Sequence, residues 1–345
     1  MKYNFCTLFD SYYLTRGIAL YRSLEKHCRD FHLYIFSFDD KSFSVLTEMK
    51  LAHATIISLK DFENEELLRV KPTRTIAEYC WTCTASTIWY AIRNFNLDHC
   101  TYLDADMLFF ASPDPIFEEI GGRSSAITKH NFSPNLKSQE VYGKYCVQFV
   151  FFRNDEHGMK ALAWWRESCI EWCYANLEET RYGDQKYLDY FEEKFDNVCV
   201  VQHIGVGVAP WNYTNYHLRE LNGQLRLSAN ENMTENVPLI FYHYQGLKFT
   251  DNGKEIISEP AFLKIGKNWL AQVYTPYIRQ LTGIQHMLTG TEAVEKKIVF
   301  QRTKIKSVIM FFRLNVKRFS FLRTIFYALK KNRYDRPKGI GGNIS

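Results

Sequence analysis

Short apolar runs alternate with segments of helical periodicity over the first 110 residues. The runs Tyr3 to Phe9, Phe31 to Ser37 and Ala54 to Ser58 predict buried strands, because a strand covered on both faces is apolar at nearly every position. The segments 14 to 28 and 76 to 94 instead repeat apolar residues every three to four positions, which predicts helices. This order predicts an α/β fold built from Rossmann-like βα units.

The alternation continues through the following residues. The segments 124 to 130 and 145 to 152 predict two further strands, and the segment 156 to 176 predicts a helix. Four residues of that helix fall at helical spacing and are predicted to face the core: Leu162, Trp165, Cys169 and Trp172. A last apolar strand is predicted to begin at Leu239.

Composition places the chain among globular proteins with a sizeable core. Of its 345 residues, 46% are hydrophobic and 16% are aromatic, which excludes a disordered chain. Asp10 interrupts the first apolar run too early for a signal peptide, and no run has the length of a membrane span, so a cytoplasmic protein is expected. The nine cysteines are then expected as reduced thiols, with Cys80 and Cys83 as core residues of a helix.

The net charge of +5 conceals a basic tail. Residues 296 to 338 carry 14 Lys and Arg against one acid, Asp335, which gives this segment a charge of +13. Apolar residues of the segment fall at helical spacing, namely Ile305, Ile309, Phe312, Val316, Phe319 and Phe326. We therefore predict a domain at 1–290 and a basic amphipathic helical tail at 291–345.

A basic amphipathic helix suits an anionic membrane surface, so the tail is predicted to associate with a membrane. An ordinary helix packed on the rest of the chain is one alternative, and a weak nucleic-acid patch is the other. No recognisable nucleic-acid module accompanies the charge, so no nucleic-acid partner is expected.

Two carboxylates interrupt the apolar run from Tyr102 to Phe110. Because side chains alternate along a strand, Asp104 and Asp106 are expected to face the same way. Such a pair can hold a hard divalent cation, which in turn binds the two phosphates of a nucleotide-sugar. A solvated acidic turn that also caps a following helix is the alternative.

The strand that begins at Leu239 delivers a second group of polar residues. It ends in a histidine, His243, which is followed by Gly246 and Lys248. The imidazole could complete a metal coordination sphere, the glycine would let the backbone approach a pyrophosphate, and the lysine would neutralise a leaving diphosphate. A histidine that only makes structural hydrogen bonds is the alternative.

Together these motifs resemble the glycosyltransferases of family 8 and their bacterial relatives, which use nucleotide-activated sugars on a GT-A fold. The resemblance spans roughly residues 3 to 280. It implies an α/β fold of GT-A type, with Asp104, Asp106 and His243 as metal ligands. The same two aspartates, together with the glycine and lysine that follow His243, are implied to bind the donor.

The loop after the first strand matches the Asp-x-x-Tyr motif with which this family holds the base. It reads Asp10-Ser11-Tyr12-Tyr13 in this chain. The resemblance implies that Asp10 accepts a hydrogen bond from the edge of a uracil and that Tyr13 stacks on it. Thr7, at the end of the same strand, is grouped with these donor-binding residues.

Two further segments match the sugar side of the family's site. In Gly183-Asp184-Gln185-Lys186, the resemblance implies that Asp184 contacts the donor sugar and that Gln185 lies near the reacting anomeric carbon. A helix N-cap explains the aspartate equally well. In the segment 208 to 213, Trp211 is implied to stack on a sugar and Asn212 to hydrogen-bond it, although a buried tryptophan and a turn asparagine need no ligand.

The chain departs from the family's pattern at two positions. The strand near residue 146 lacks the sugar-binding asparagine, since the segment 146 to 149 reads Cys-Val-Gln-Phe. The arginine that many members carry on the helix before the acidic pair is also absent, because Ser86 or Thr87 stands there. Arg74 is a candidate to substitute for it.

The implied activity is transfer of a hexose from a UDP-sugar to an acceptor hydroxyl, with retention of anomeric configuration. The cofactor is expected to be Mn²⁺ or Mg²⁺, and imidazole ligation favours Mn²⁺. If the tail lies on the cytosolic face of a membrane, the acceptor is a glycan or glycolipid, for example in lipopolysaccharide or another surface glycan.

Two other classes of protein remain alternatives. A non-catalytic, membrane-associated sugar-binding protein could carry the same fold, because fold alone does not define activity. A sugar-1-phosphate nucleotidyltransferase should have a Gly-rich loop with Arg or Lys after the first strand, and the loop from Phe9 to Tyr13 lacks those features.

Overall fold

The structure is a computed structural model that describes residues 2–232, 236–249, 256–257 and 265–288, with the short strands at 248–249 and 256–257 described through their backbone alone. The predicted tail at 291–345 lies outside the described residues. The division of the chain near residue 290 and the membrane association of the tail therefore stay predictions.

Strands account for much of the described chain. In chain order they are β1 (Tyr3–Phe9), β2 (Phe31–Ser37), β3 (Ala54–Ser58), β4 (His99–Leu103), β5 (Met107–Phe109), β6 (Ser125–Lys129), β7 (Tyr145–Arg153), β8 (Val198–Val201), β9 (His217–Leu221), β10 (Gln224–Ser228), β11 (Val237–Pro238), β12 (Phe241–His243), β13 (Lys248–Phe249) and β14 (Ile256–Ile257).

Helices lie between β1 and β2, β2 and β3, β3 and β4, β5 and β6, and β7 and β8. The α-helices of the described chain are α1 (Leu14–His27), α2 (Asp40–Met49), α3 (Leu59–Phe62), α4 (Glu65–Val70), α5 (Ile76–Phe95), α6 (Asp114–Ile120), α7 (Glu156–Glu171), α8 (Phe191–Lys194), α9 (Lys267–Trp269) and α10 (Thr275–Leu288). Short 3₁₀ helices lie at Lys71–Thr73, Pro134–Tyr142, Gln185–Tyr190 and Tyr213–Asn215, and a π-helical segment at Leu270–Tyr274 joins α9 to α10. None of the described helices has both the length and the apolar character that a membrane crossing requires.

A seven-stranded sheet in the order β3-β2-β1-β4-β7-β6-β8 forms the centre of the fold. The first four of these strands are parallel, whereas β7 runs antiparallel to both of its neighbours. A three-stranded antiparallel sheet, β11-β10-β9, and two pairs, β12-β5 and β13-β14, complete the strands of the described chain. The predicted α/β, Rossmann-like fold is confirmed by this largely parallel sheet with its connecting helices.

The central sheet is covered by a hydrophobic core on each face. Along β1, Phe5 and Phe9 belong to one core, which includes the buried face of α1, while Cys6 and Leu8 belong to the other, which includes α5 and α7. This alternation follows from the two-residue period of a strand. Because both faces are covered, strands β1, β2 and β3 are apolar at most positions, and this explains why they were visible in the sequence.

Local signals fix where the longer helices begin and end. Thr75 caps α5 by accepting a hydrogen bond from the Glu78 N–H, and Glu78 binds back to the Thr75 N–H, which completes a capping box. Asn96 ends the same helix in the left-handed region, at φ 50°. Asp155 caps α7 in a similar way, through a bond from Gly158 N–H.

The helix predicted at 156 to 176 is shorter than expected. It ends at Glu171, so Trp172 lies beyond it and is only half-buried, with the Arg181 guanidinium 4.7 Å from its ring centroid. The other predicted core residues of this helix, Leu162, Trp165 and Cys169, are buried. The nine cysteines are free thiols; Cys83 is buried in α5 as predicted, whereas Cys80 in the same helix is only partly buried against the core.

Candidate active site

The acidic pair lies in a turn between β4 and β5. Asp104 donates its backbone N–H to the carbonyl of Gln148 at 3.1 Å, and Met107 N–H donates to the Asp104 carbonyl at 3.3 Å. Asp104 and Asp106 were predicted to face the same way because side chains alternate along a strand. That reason was wrong, since β4 ends at Leu103 and residues 104 to 106 lie outside any strand. The turn, rather than the pleat, brings Asp104 and Asp106 to one side.

Strand pairing brings His243 to these carboxylates. β12 runs antiparallel to β5 with His243 opposite Met107, and Tyr244 N–H donates to the Asp106 carbonyl at 2.9 Å. The imidazole Nε2 then lies 3.0 Å from Asp106 Oδ1 and 3.6 Å from Asp104 Oδ2. His243 and Asp106 are buried, while the Asp104 side chain is 28% exposed and faces the opening of the site.

The three groups perturb each other's protonation. Burial alone would lower the pKa of His243, but the Asp106 and Asp104 carboxylates hold it well above its ordinary value. Burial alone would raise the pKa of Asp106, but the imidazolium of His243 holds it below its ordinary value. Burial raises the pKa of Asp104 to about 6, which His243 opposes and the charge of Asp106 reinforces. At neutral pH, Asp106 and His243 therefore form an ion pair.

The donor set suits a divalent cation that accepts both oxygen and nitrogen ligands. Two carboxylates lie within 4 Å of one imidazole, which is the ligand chemistry expected for Mn²⁺ more than for Mg²⁺. Within the part of the chain that is described, no three His, Cys, Asp or Glu side chains already stand in the arrangement of a metal centre. The Nε2 proton of His243 faces Asp106 instead, and a cation would have to replace it.

A glycine within the turn after β12 and an arginine from α1 stabilise that turn. Gly246 has φ 71°, a left-handed conformation that a side chain would strain. Arg16, in the first turn of α1, donates to the Leu247 carbonyl at 3.0 Å, and its charge helps to lower the pKa of Asp106. The sequence analysis missed Arg16. The predicted role of Lys248 in binding diphosphate stays a prediction, since its side chain is outside the description.

The loop after β1 lies beside the same site. Asp10 Oδ1 accepts the N–H groups of Tyr12 at 3.0 Å and Tyr13 at 3.3 Å, which folds the loop into an Asx turn. The charge of Asp106, followed by burial, raises the pKa of Tyr13 to about 12. Thr7 is buried, and its hydroxyl has no hydrogen-bond partner among the described residues.

A cavity of about 340 Å³ opens beside this loop. Its lining includes Asp10, Tyr12, Asp39, Arg74, Thr75 and Ile76. The volume is at the lower end of the range for small-molecule pockets. Asp39 accepts the Ser11 N–H at 2.9 Å. Both acidic residues that line the cavity, Asp10 and Asp39, therefore hydrogen-bond to the loop after β1.

Arg74 is held at the edge of this cavity. Its guanidinium stacks 3.8 Å from the ring centroid of Tyr174 and donates to the Ile170 carbonyl at 3.2 Å. These contacts tie the start of α5 to the end of α7. Whether Arg74 substitutes for the missing family arginine stays a prediction.

Asp184 is buried close to the acidic pair. It precedes the 3₁₀ helix at Gln185–Tyr190 but makes no capping hydrogen bond through its side chain, so the N-cap alternative does not describe it. Burial raises the pKa of Asp184 to about 7; a hydrogen bond from Thr84 opposes this rise and the charge of Asp104 adds to it. Gln185 donates its amide to the Tyr142 carbonyl at 2.9 Å.

Trp211 and Asn212 are fully enclosed. The indole N–H of Trp211 donates to the His130 carbonyl at 2.8 Å, and the Asn212 amide donates to the same oxygen and to the Gly207 carbonyl, each at 2.8 Å. Trp211 also packs edge-on against the His243 ring at 5.5 Å. These internal bonds account for both side chains as a buried tryptophan and a turn asparagine. Their role in sugar binding stays a prediction.

Gln148 is a second residue that the sequence analysis missed. Its side chain is wholly buried, and its Oε1 lies 2.9 Å from His243 Nδ1. The only sequence signal was the glutamine itself, a polar residue in the otherwise apolar run of β7.

Two proteins of Bacillus subtilis strain 168 are similar to this chain in sequence. The protein YfnD is 31% identical over 290 residues, which cover 81% of this chain and 88% of YfnD. The protein YfnF is 33% identical over 257 residues, which cover 72% of this chain and 82% of YfnF. Both are named as uncharacterized proteins. No protein-family model matches the chain.

Solved structures with a similar fold are much more distant. The glycosyltransferase GlyE of Streptococcus pneumoniae is 15% identical, with a TM-score of 0.48 over 85% of this chain and 64% of GlyE. The galactosyltransferase LgtC, solved with donor and acceptor sugar analogues, is 12% identical, with a TM-score of 0.45 over 78% of this chain and 99% of LgtC. Mouse xyloside xylosyltransferase 1 is 12% identical, with a TM-score of 0.39 over 59% of this chain and 86% of that chain.

At these distances, the activity has to be inferred from the residues of the chain itself. YfnD and YfnF are closer relatives than these structures, because each is more than 30% identical to this chain over most of both sequences. The chain belongs to the same protein family as YfnD and YfnF of Bacillus subtilis.

Proposed function

We propose that this protein is a GT-A-type glycosyltransferase that moves a hexose from a UDP-sugar to an acceptor hydroxyl with the help of Mn²⁺. The observation that carries the proposal is the convergence of Asp104, Asp106 and His243 at the junction of β5 and β12. Two carboxylates and an imidazole at the end of a central strand form a site for a cation that binds diphosphate.

Charge stabilisation is the main requirement of the proposed reaction. As the bond between the anomeric carbon and the diphosphate oxygen breaks, negative charge moves onto the diphosphate. A bound Mn²⁺ would supply Lewis-acid stabilisation of that charge. Arg16 holds the turn that carries Gly246, and the glycine leaves the backbone open to a phosphate. Lys248, two residues later in the sequence, is proposed to neutralise charge on the leaving diphosphate.

The nucleotide is proposed to lie along the loop after β1. The cavity beside Asp10 and Tyr12 has the size of a small-molecule pocket, and the charge of Asp106 raises the pKa of Tyr13 in the same loop. A uridine there would place its diphosphate toward Asp106. Asp184, whose pKa is raised to about 7, is proposed to contact the donor sugar on the other side of Asp104.

The acceptor is proposed to be a glycan or glycolipid. The support is the charge of the tail alone, since 14 Lys and Arg in residues 296 to 338 suit an anionic surface. The reaction is proposed to retain the anomeric configuration through attack on the face that the diphosphate leaves, in line with the family that the motifs resemble.

The proposed function is tested by UDP release from a panel of UDP-sugars in the presence of Mn²⁺. The double variant Asp104→Asn, Asp106→Asn removes both charges, and Asp196→Asn serves as a matched control because its side chain is 89% exposed. We expect release from one donor by the wild type and the control, and none by the double variant at equal thermal stability. Release by the double variant at the wild-type rate would overturn the metal-site assignment.

A further inference from the structure

Gln148 connects the two halves of the candidate metal site. Its backbone carbonyl accepts the N–H of Asp104 at 3.1 Å, and its side-chain Oε1 lies 2.9 Å from Nδ1 of His243. One residue in β7 therefore contacts both the turn that carries the acidic pair and the imidazole that faces it. The side chain of Gln148 is wholly buried.

The direction of this contact determines which imidazole nitrogen is available. Gln148 Oε1 is an acceptor, so it requires the N–H on Nδ1 of His243. With the Nδ1 hydrogen fixed in this way, Nε2 is the nitrogen that can ligate a cation, and Nε2 is the atom that faces Asp106 at 3.0 Å. Ligating histidines in metal sites commonly have such a partner on their second nitrogen, which sets the ring orientation.

A glycine lies beside the carboxamide of Gln148. Gly207 has φ 73°, and a Cβ at this position would lie 3.0 Å from Gln148 Nε2. The glycine therefore leaves just enough room for the amide on the side away from His243. The Nε2 group of Gln148 has no hydrogen-bond partner among the described residues, so its contact with His243 is the polar contact that accounts for a buried glutamine here.

We propose that Gln148 is a positioning residue for the metal ligand His243: it holds the imidazole with Nε2 directed at Asp104 and Asp106. This inference rests on the proposed function, because the cation belongs to that proposal. Gln148 touches neither cation nor substrate. It acts through His243, and through the backbone of Asp104.

The test measures Mn²⁺ affinity by isothermal titration calorimetry on the full chain, without donor or acceptor. Gln148→Met keeps the length of the side chain and removes the acceptor, while Gln148→Glu restores an acceptor. Thr101→Val in β4 is the matched control, because Thr101 is buried in the neighbouring strand and its hydroxyl has no partner among the described residues. Thermal unfolding of each variant shows that the protein measured is folded.

We expect Gln148→Met to bind Mn²⁺ about 10- to 100-fold more weakly than the wild type, which is the usual effect of removing such a partner. Gln148→Glu should return the affinity to near the wild-type level, and Thr101→Val should leave it unchanged. A merely structural role would alter the melting temperature of Gln148→Met and not its Mn²⁺ affinity.

Two results would overturn the inference while leaving the metal site intact: equal Mn²⁺ affinity of Gln148→Met and wild type, or a Gln148→Glu variant that binds no better than Gln148→Met. A wild type that binds no Mn²⁺ at all would be a different result. It would remove the metal centre from the proposed function and the role of Gln148 with it.

Discussion

At the scale of single residues, the buried carboxylates Asp106 and Asp184 and the partly exposed Asp104 respond differently to their surroundings. Asp106 is stabilised as an anion by His243, whereas burial raises the pKa of Asp104 to about 6 and the pKa of Asp184 to about 7. His243 lies closest to Asp106, at 3.0 Å, and is farther from Asp104, at 3.6 Å, so it offsets the burial of Asp106 more fully. Asp104 and Asp184 keep unfavourable charge in the site at neutral pH, which is the usual condition of groups that await a cation or a polar ligand.

Asp184 should therefore lower the stability of the protein at neutral pH. Its pKa is about 7 in the folded chain and near 3.8 when unfolded, so the folded state binds the proton more tightly. The stability that this provides is complete below pH 4 and is lost as the pH rises to 7. We expect Asp184→Asn to raise the free energy of unfolding by roughly 2–4 kcal/mol at pH 8 and by little at pH 4.

Urea denaturation at pH 4, 6 and 8 measures this difference. Asp196→Asn, on the surface, should show no such trend with pH. A gain from Asp184→Asn that is the same at pH 4 and pH 8 would mean that the carboxyl is not perturbed as described.

Binding of Mn²⁺ should release a proton from His243. The pKa of this imidazole is well above its ordinary value, so Nε2 is protonated at neutral pH and has to lose that proton before it can ligate. We expect about one proton released per Mn²⁺ between pH 7 and pH 8, and affinity that falls as the pH is lowered. Calorimetry in two buffers of different ionisation enthalpy counts the protons.

His243→Gln provides the comparison for that measurement. It should bind Mn²⁺ more weakly and lose the release that comes from the imidazolium, so that any proton this variant releases comes from Asp104 or Asp106, whose pKa values His243 no longer lowers. Proton release that is equal in His243→Gln and wild type at every pH from 7 to 8 would assign the wild-type proton to a group other than His243.

The residues that the sequence analysis missed share one property. Gln148 and Arg16 act through contacts with residues far along the chain, since Gln148 lies 95 positions from His243 and Arg16 lies 231 positions from Leu247. Neither residue belongs to a local motif. The acidic pair and His243 were found because each lies at the end of an apolar strand, where a polar side chain is conspicuous.

At the scale of elements, α1 approaches β1 through a glycine. A Cβ at Gly17 would lie 2.2 Å from ring atoms of Phe9, the last residue of β1. Replacing glycine by alanine inside a helix ordinarily stabilises it by roughly 0.5–1 kcal/mol. Here we expect Gly17→Ala to lower the free energy of unfolding by about 1–3 kcal/mol instead, because the ring has to move.

Gly283→Ala in α10 is the matched substitution, since a Cβ there meets no atom within 4 Å. It should raise the free energy of unfolding by up to about 1 kcal/mol. Denaturant titration measures the free energy of unfolding of both variants. The double variant Gly17→Ala, Phe9→Leu should recover part of the loss, because it lacks the ring that the new Cβ meets. If both alanines stabilise the protein, the close packing of α1 on β1 is not as described.

The elements themselves were predicted unevenly. The bounds of β1, β2 and β3 agree with the apolar runs, because both faces of these strands are covered by helices. The antiparallel direction of β7 was not predicted, since an apolar run carries no information about strand direction. The pairing of β5 with β12 could not be predicted either. The two strands are far apart in sequence, and no local pattern in either one indicates its partner.

At the scale of the whole molecule, charge is divided between two parts of the chain. Residues 296 to 338 carry a net charge of +13, so the remainder is acidic. We expect the full chain to bind vesicles that contain anionic lipid and to leave them as salt is raised, because each basic residue near the surface contributes about 1 kcal/mol that salt screens.

Deletion of residues 296 to 345 should abolish this binding in a vesicle sedimentation assay while UDP release from the donor continues. Vesicles of neutral lipid are the control for non-specific adsorption. Unchanged sedimentation of the shortened chain with anionic vesicles would place the membrane contact, if any, elsewhere.

The pairing of β5 with β12 also determines when, during synthesis, the chain can first assemble its cation site. The two carboxylates are synthesised early, at positions 104 and 106, but their imidazole partner arrives only at position 243. A nascent chain that has already built β1 to β4 still lacks the third ligand. Cation binding, if it helps to hold the finished fold, can act only after most of the domain has left the ribosome.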